Sequence, residues 1–263
     1  MTQPTNALPD PVSPVPVPGT QPATFALNSL LAWLVVLLIP VALSLTAVRI
    51  VLNHWYPEFE YRTPGFPADP YGFTFEERMT YAHIAIEYLR NDAGIDYLAD
   101  LRFPEGQQAP WQSCQYMTDC TRFYNERELQ HMLDVKNVIL AARNVWLFAL
   151  LALMALAGVA WRGGWFDAYK NSLALGGWLT LAIIAAILLG VLVFFDWLFV
   201  VFHRIFFTGD SWLFLTSDSL IRLFPERFWS DTFLMVGGLT ALMALGLGLA
   251  FRRRKGKQSA SMR

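Results

Sequence analysis

LLAWLVVLLIPVALSLTAV, residues 30–48, is a run of 19 residues without a charged side chain. A helix rising ~1.5 Å per residue crosses ~30 Å of hydrocarbon in about that length. Pro40 falls within the run, where a membrane helix tolerates a kink because neighbours satisfy the freed backbone. Arg49 closes it, and His54, Trp55 and Tyr56 follow as an aromatic belt at the far interface. Working outward, three more apolar runs follow. The spans are expected at about 29–52, 126–161, 172–202 and 231–251. Composition agrees: 55% of the residues are hydrophobic, 16% are charged and the mean hydropathy is +0.36. A net charge of −1 gives no electrostatic ground for a nucleic-acid partner.

The fold class is therefore all-α integral membrane: four transmembrane helices with a small cap. A Pro-rich tail, residues 1–25, is expected to be disordered, because each Pro removes a donor and restricts its neighbour. It lacks the basic start of a signal peptide. The membrane domain occupies 26–251, including a cap at 53–125 and an external segment at 203–230. Within the cap, Thr74 and Glu77 have capping-box spacing, and helical periodicity follows to about Leu89. Residues 95–103 read as a short strand or loop. Gly237, Gly238, Gly246 and Gly248 in the fourth run offer close helix approach. Residues 252–263 form a basic tail. Four spans place both termini on one side, and the positive-inside rule makes that side cytoplasmic. The cap is then extracytoplasmic, where Cys114 and Cys120 are expected to pair as a disulfide.

This topology also aligns two histidines. RELQHMLDVK, residues 127–136, leads into the second span with His131, and His203 ends the third on the same side. Glu128 and Asp134 lie three residues either side of His131, on one helical face. Two readings stand. The acids pair with Arg127, Lys136 or Arg122 and His131 is an interfacial anchor, or a carboxylate holds His131 as a general base. Asp196, an acid inside the third run, has two readings: it pairs with His203 at i+7, or it is capped or faces water near the helix end. Asp218 caps a short amphipathic helix expected to lie in the membrane interface. His54 and His83 have no comparable company. A metal site on His131, His203 and Asp134 or Asp196 has no diagnostic spacing, and no metal or cofactor is expected.

The motifs ELQHMLDVK (128–136), FHRIFF (202–207), Trp212, DSLI (218–221) and LFPERF (223–228) resemble those of the lipoprotein intramolecular transacylase family, Lit. The resemblance covers about 30–251; the Pro-rich tail and the Cys114–Cys120 loop fall outside its pattern. It implies a multi-pass enzyme of the bacterial plasma membrane. The implied partners are the bilayer and diacylglyceryl lipoproteins. The implied reaction moves the sn-2 acyl chain of such a lipoprotein to the α-amine of its own cysteine. His131 and His203 carry over as the catalytic pair. His131, oriented by Glu128 or Asp134, would take the amine proton. His203, biased by Asp196, would stabilise the oxyanion or protonate the leaving oxygen, and these roles could be exchanged. Phe202, Phe206, Phe207 and Trp212 would shape a substrate pocket. Two other classes remain open on the residues alone: a non-enzymatic accessory subunit of a membrane complex, and a metal-dependent membrane hydrolase.

Overall fold

The computed structural model describes residues 21–251, with side chains from 26 onward. The basic tail and residues 1–20 of the Pro-rich tail lie outside the described residues; residues 21–25, expected in that tail, already belong to a helix. The described residues form helices α1 (Gln21–Val51), α2 (Trp55–Glu60), α3 (Phe75–Arg90), α4 (Asp96–Ala99) and α5 (Trp111–Cys114). They continue as α6 (Glu126–Arg162), α7 (Phe166–Phe206), α8 (Ser219–Leu223) and α9 (Glu226–Ala250). No strand forms among them; a single bridge, Arg102 to Arg122, and the short α4 replace the strand or loop expected at 95–103.

Four helices, α1, α6, α7 and α9, are long and apolar enough to cross a membrane. α1 touches the other three, α7 packs most extensively on α9, and α6 touches α7 little and α9 least. Small residues set the close approaches. A Cβ on Gly177 would stand 2.7 Å from the Ala244 carbonyl oxygen, and one on Gly176 would stand 2.8 Å from Ile39. Of the four glycines expected to serve this purpose, Gly237 and Gly248 do so, against Leu188 and Trp178. Gly238 and Gly246 face open space. Backbone cannot yield as a side-chain tip can. Gly177→Ala is therefore expected to cost about 1–3 kcal/mol by forcing α7 off α9, seen as a lower thermal midpoint in detergent. An unchanged midpoint would show that this contact is slack.

α6 has 37 residues and α7 has 41, about 55 and 61 Å, well beyond the hydrocarbon thickness. Counting about 20 residues outward from Arg162 reaches Arg143, so the start of α6 stands clear of the apolar layer. Arg49 of α1 lies over the Trp146 ring at 4.4 Å, close to that boundary. α1 continues through Pro40, whereas α7 leaves helical geometry at Phe194 (φ −136, ψ 40).

The projecting ends carry the cap. Thr74 and Glu77 do form a capping box at the start of α3. α3 then delivers Tyr81, Ala82, Ala85 and Tyr88 to an aromatic core with Phe73, Phe103, Phe123 and Leu223. Cys114 and Cys120 are joined, with Cα atoms 5.1 Å apart. α8 does not lie on the membrane: Ser219, Leu220, Arg222 and Leu223 are buried in the cap core. The reason is Arg222. Its guanidinium pairs with buried Asp69 at 2.9 Å and stacks on Phe73 at 3.5 Å, contacts that a surface helix could not offer.

Candidate active site

Asn125 starts α6 by a capping box: its side chain accepts from Glu128 N–H at 3.0 Å, and Glu128 accepts from Asn125 N–H at 2.9 Å. The other Glu128 oxygen accepts from Leu220 N–H at 2.7 Å, which ties α8 to α6. Asp218 completes the tie. It accepts from the Asn125 amide at 3.1 Å, from Arg127 at 3.0 Å and from Leu215 N–H at 2.8 Å. Its side chain therefore fixes the loop before α8 and makes no cap bond to α8 itself. The result presents Phe207 and Phe214 to His131, with ring centroids at 4.8 and 5.3 Å.

His131 and His203 come together. Their ring centroids are 5.9 Å apart with planes 23° off parallel, and each residue is 8% exposed. That spacing brings both imidazoles alongside one substrate group. Phe199 and Trp212 flank His203 at 4.1 and 5.0 Å. His203 Nδ1 sits 2.8 Å from the Phe199 carbonyl oxygen. A carbonyl only accepts, so Nδ1 carries the proton and Nε2 keeps its lone pair.

The expected acidic partners go elsewhere. Glu128 is committed to backbone N–H groups. Asp134 accepts from Gln130 at 2.9 Å and from Ser211 at 3.4 Å. His131 Nδ1 has no hydrogen-bond partner among the described residues. Asp196 is exposed on α7, with no hydrogen bond or ion pair among the described residues, so it does not bias His203. Helical spacing put these acids on the right face, but the nearest acceptors and donors in space won. No cluster of three or more His, Cys, Asp or Glu able to hold a metal occurs among the described residues, so these carboxylates do not complete a site on the two imidazoles.

Both histidines line an apolar cavity of about 320 Å³ between the cap-side ends of α1, α6, α7 and α9 and the α8 loop. Phe202, Phe207 and Trp212 are in its wall as expected from the sequence motifs. Phe206 is not; it is half exposed and packs on the outer side of Phe202 at 4.8 Å. Other wall residues were not assigned to the pocket from the sequence: Phe199, Phe233 and Tyr56, and Phe224 and Phe228 of the LFPERF motif, reach it from four different helices or their ends. Tyr56, placed by sequence in an interfacial belt, is 2% exposed. A second histidine pair was also invisible in the sequence. His54 and His83 stack at 4.7 Å, each facing a carboxylate, Glu87 and Glu58.

Beside Tyr56, Glu60 is 2% exposed. Burial, and then the neighbouring Asp231 carboxyl, raise its pKa from the usual carboxylate range to about 7. Between about pH 4.5 and pH 7 the unfolded chain loses this proton while the folded chain keeps it, so stability from this group falls as pH rises through that window. Glu60→Gln keeps a donor for Asp231 without the titration. Its thermal midpoint relative to the parent is expected to be higher at pH 8 than at pH 5. A difference independent of pH would contradict the buried, protonated Glu60.

Comparisons with known proteins give this chain a family model and a shared fold. A family model described as lipoprotein intramolecular transacylase Lit matches residues 31–229. An uncharacterized protein of Aquifex aeolicus (strain VF5) is 28% identical over 246 residues, covering 88% of this chain and 100% of that protein. A solved structure of membrane integral lipoprotein intramolecular transacylase Lit from Bacillus cereus shares the fold at a TM-score of 0.68. It is 19% identical, over 87% of this chain and 95% of that one. A histidine-to-alanine variant of the same Bacillus cereus protein matches at a TM-score of 0.65 and 18% identity, over 88% and 94%.

Proposed function

This chain belongs to the family of lipoprotein intramolecular transacylases, Lit, which are multi-pass membrane enzymes, and from that premise we propose that it moves the sn-2 acyl chain of a diacylglyceryl-cysteine lipoprotein to the α-amine of the same cysteine. The observation that carries this reading is the meeting of His131 and His203, 5.9 Å apart, in the wall of one apolar cavity. Its walls suit acyl chains, and the histidines supply proton transfer where no protein nucleophile is needed. Both reacting groups sit on one molecule, so holding them in contact replaces a bimolecular step, an effect worth up to ~7–11 kcal/mol when well oriented.

The amine nitrogen attacks the sn-2 ester carbonyl carbon, and the carbonyl oxygen takes the charge. The bond from that carbon to the glyceryl oxygen then breaks as the amide forms. The proton lost by nitrogen ends on the glyceryl oxygen, so nothing external is consumed. We assign the base to His203, because the Phe199 carbonyl holds its proton on Nδ1 and leaves Nε2 as acceptor. His203 then returns that proton to the leaving glyceryl oxygen, and His131, kept neutral by burial and by the nearby His203, stabilises the oxyanion as an N–H donor. This reverses the expected roles. The basic residues 252–257 and the Arg162–Lys170 turn support cytoplasmic termini and an extracytoplasmic cap.

The test is expression in a host that lacks lyso-form lipoproteins. The product is an isomer of the substrate, so its intact mass is unchanged; fragmentation of the reporter's N-terminus should place one acyl chain on nitrogen. A free α-amine alongside well-folded protein would sink this reading and favour the accessory one.

A further inference from the structure

The cavity wall is almost wholly apolar, so its few hydrogen-bonding groups define where polar substrate atoms can sit. Most are already committed. Trp212 Nε1 donates to the Gly209 carbonyl at 3.1 Å, Thr232 Oγ1 donates to the Phe228 carbonyl at 2.6 Å, and His203 Nδ1 donates to Phe199. Two buried polar atoms in the wall residues have no hydrogen-bond partner among the described residues: His131 Nδ1 and the Tyr56 hydroxyl. The first belongs to the catalytic pair. The second has no role in the reaction as derived above.

Tyr56 is 2% exposed and fixed on edge against Phe228, with ring centroids at 5.3 Å. Burial raises its pKa, and the nearby Thr232 hydroxyl, which gives its own proton to Phe228 and makes no hydrogen bond to Tyr56 in this structure, offsets that only in part, so the hydroxyl stays a neutral donor. A buried hydroxyl without a partner is rare and calls for an acceptor. The acyl-transfer reading, on which this inference rests, supplies acceptors of only a few kinds. The cysteine amine is a donor and must stay near the histidines. The peptide leaves toward water. The sn-2 ester is taken by the reaction. What remains is the ester on the adjacent glyceryl carbon, an acceptor that never ionises and lies among the acyl chains.

We propose that the Tyr56 hydroxyl donates to the sn-1 ester carbonyl of the substrate and so positions the sn-2 ester between His131 and His203. Tyr56 is a positioning residue that makes the enzyme selective for a glyceryl group with an ester at sn-1. It makes no bond to the reacting atoms.

The experiment uses the full chain in lipid nanodiscs and two synthetic lipopeptides that share the same sn-2 ester. One carries an sn-1 ester, the other an sn-1 alkyl ether, which lacks the carbonyl. The wild type is expected to lose about 5- to 10-fold in kcat/KM on the ether, the scale of one neutral hydrogen bond. Tyr56→Phe should show that loss on the diester and then treat both substrates alike within about 2-fold. A wild type that handles ester and ether equally overturns the proposal while leaving acyl transfer intact. A Tyr56→Phe protein that keeps the wild-type ester preference and only melts earlier also overturns it, since that is what a structural contact with nearby Thr232 would give. No transfer by the wild type on the diester would overturn the function and this inference together.

Discussion

His203→Ala is expected to lower kcat/KM for the proposed acyl transfer by about 10²–10⁴, the range for losing a general acid or base, and His131→Ala by about 10²–10³, the range for losing an oxyanion donor. Each imidazole faces the same gap, so neither can cover for the other. The double variant should be little worse than either single one, because groups acting on one transition state are not additive. The two variants differ in how they respond to pH. With His203 as base through Nε2, the rising limb of kcat/KM against pH belongs to that ring. It should be absent from the residual activity of His203→Ala and retained in His131→Ala. The reverse assignment of limbs would restore the roles first expected from the sequence. Either variant keeping half the parent activity, with an unchanged thermal midpoint, would remove that histidine from the mechanism.

Asp69→Ala is expected to be the most damaging change outside the cavity. Its carboxylate makes a forked contact with Arg222, 2.9 Å to Nη2 and 3.2 Å to Nε, and also accepts from Phe73 N–H at 2.8 Å. The two side chains are 0% and 2% exposed. Removing the acid strands a guanidinium among Phe73, Phe103 and Tyr71, at a cost of about 3–5 kcal/mol. The thermal midpoint should fall accordingly. Activity should fall too, because α8 holds Leu220 and the neighbouring Phe214 in the cavity wall. Asp69→Leu combined with Arg222→Met should recover much of the stability, since a well-packed apolar pair can replace a buried ion pair. A small midpoint shift in Asp69→Ala would show that water reaches Arg222.

The membrane helices were legible from local chemistry. Transfer of an apolar side chain out of water depends on that side chain alone, so 30–48 reads as a crossing helix without knowledge of its neighbours. The Thr74–Glu77 capping box is local in the same way, since its groups lie three residues apart. Even the approach of His131 to His203 followed from counting crossings: an even number of passes brings the start of α6 and the end of α7 to one side. Where those helices end was less legible. α7 runs from Phe166 to Phe206, well past the expected 172–202, because hydropathy senses only residues in contact with hydrocarbon.

Partners across the chain were set by folding alone. Helical spacing put Glu128 beside His131, yet its oxygens lie on the backbone of Asn125 and Leu220, the latter 92 residues away. A buried carboxylate goes to the donors that most need it, and two orphan N–H groups outrank an imidazole. The same holds for Tyr56, an aromatic belt residue by position and a cavity wall by packing. It holds again for Asp218, which bridges Asn125, Arg127 and Leu215 instead of capping α8. Side-chain chemistry along the chain fixes which segments leave water and which groups demand partners. Which partner each one finds depends on the distances that close when α6, α7 and the α8 loop pack together, and no local pattern encodes those distances.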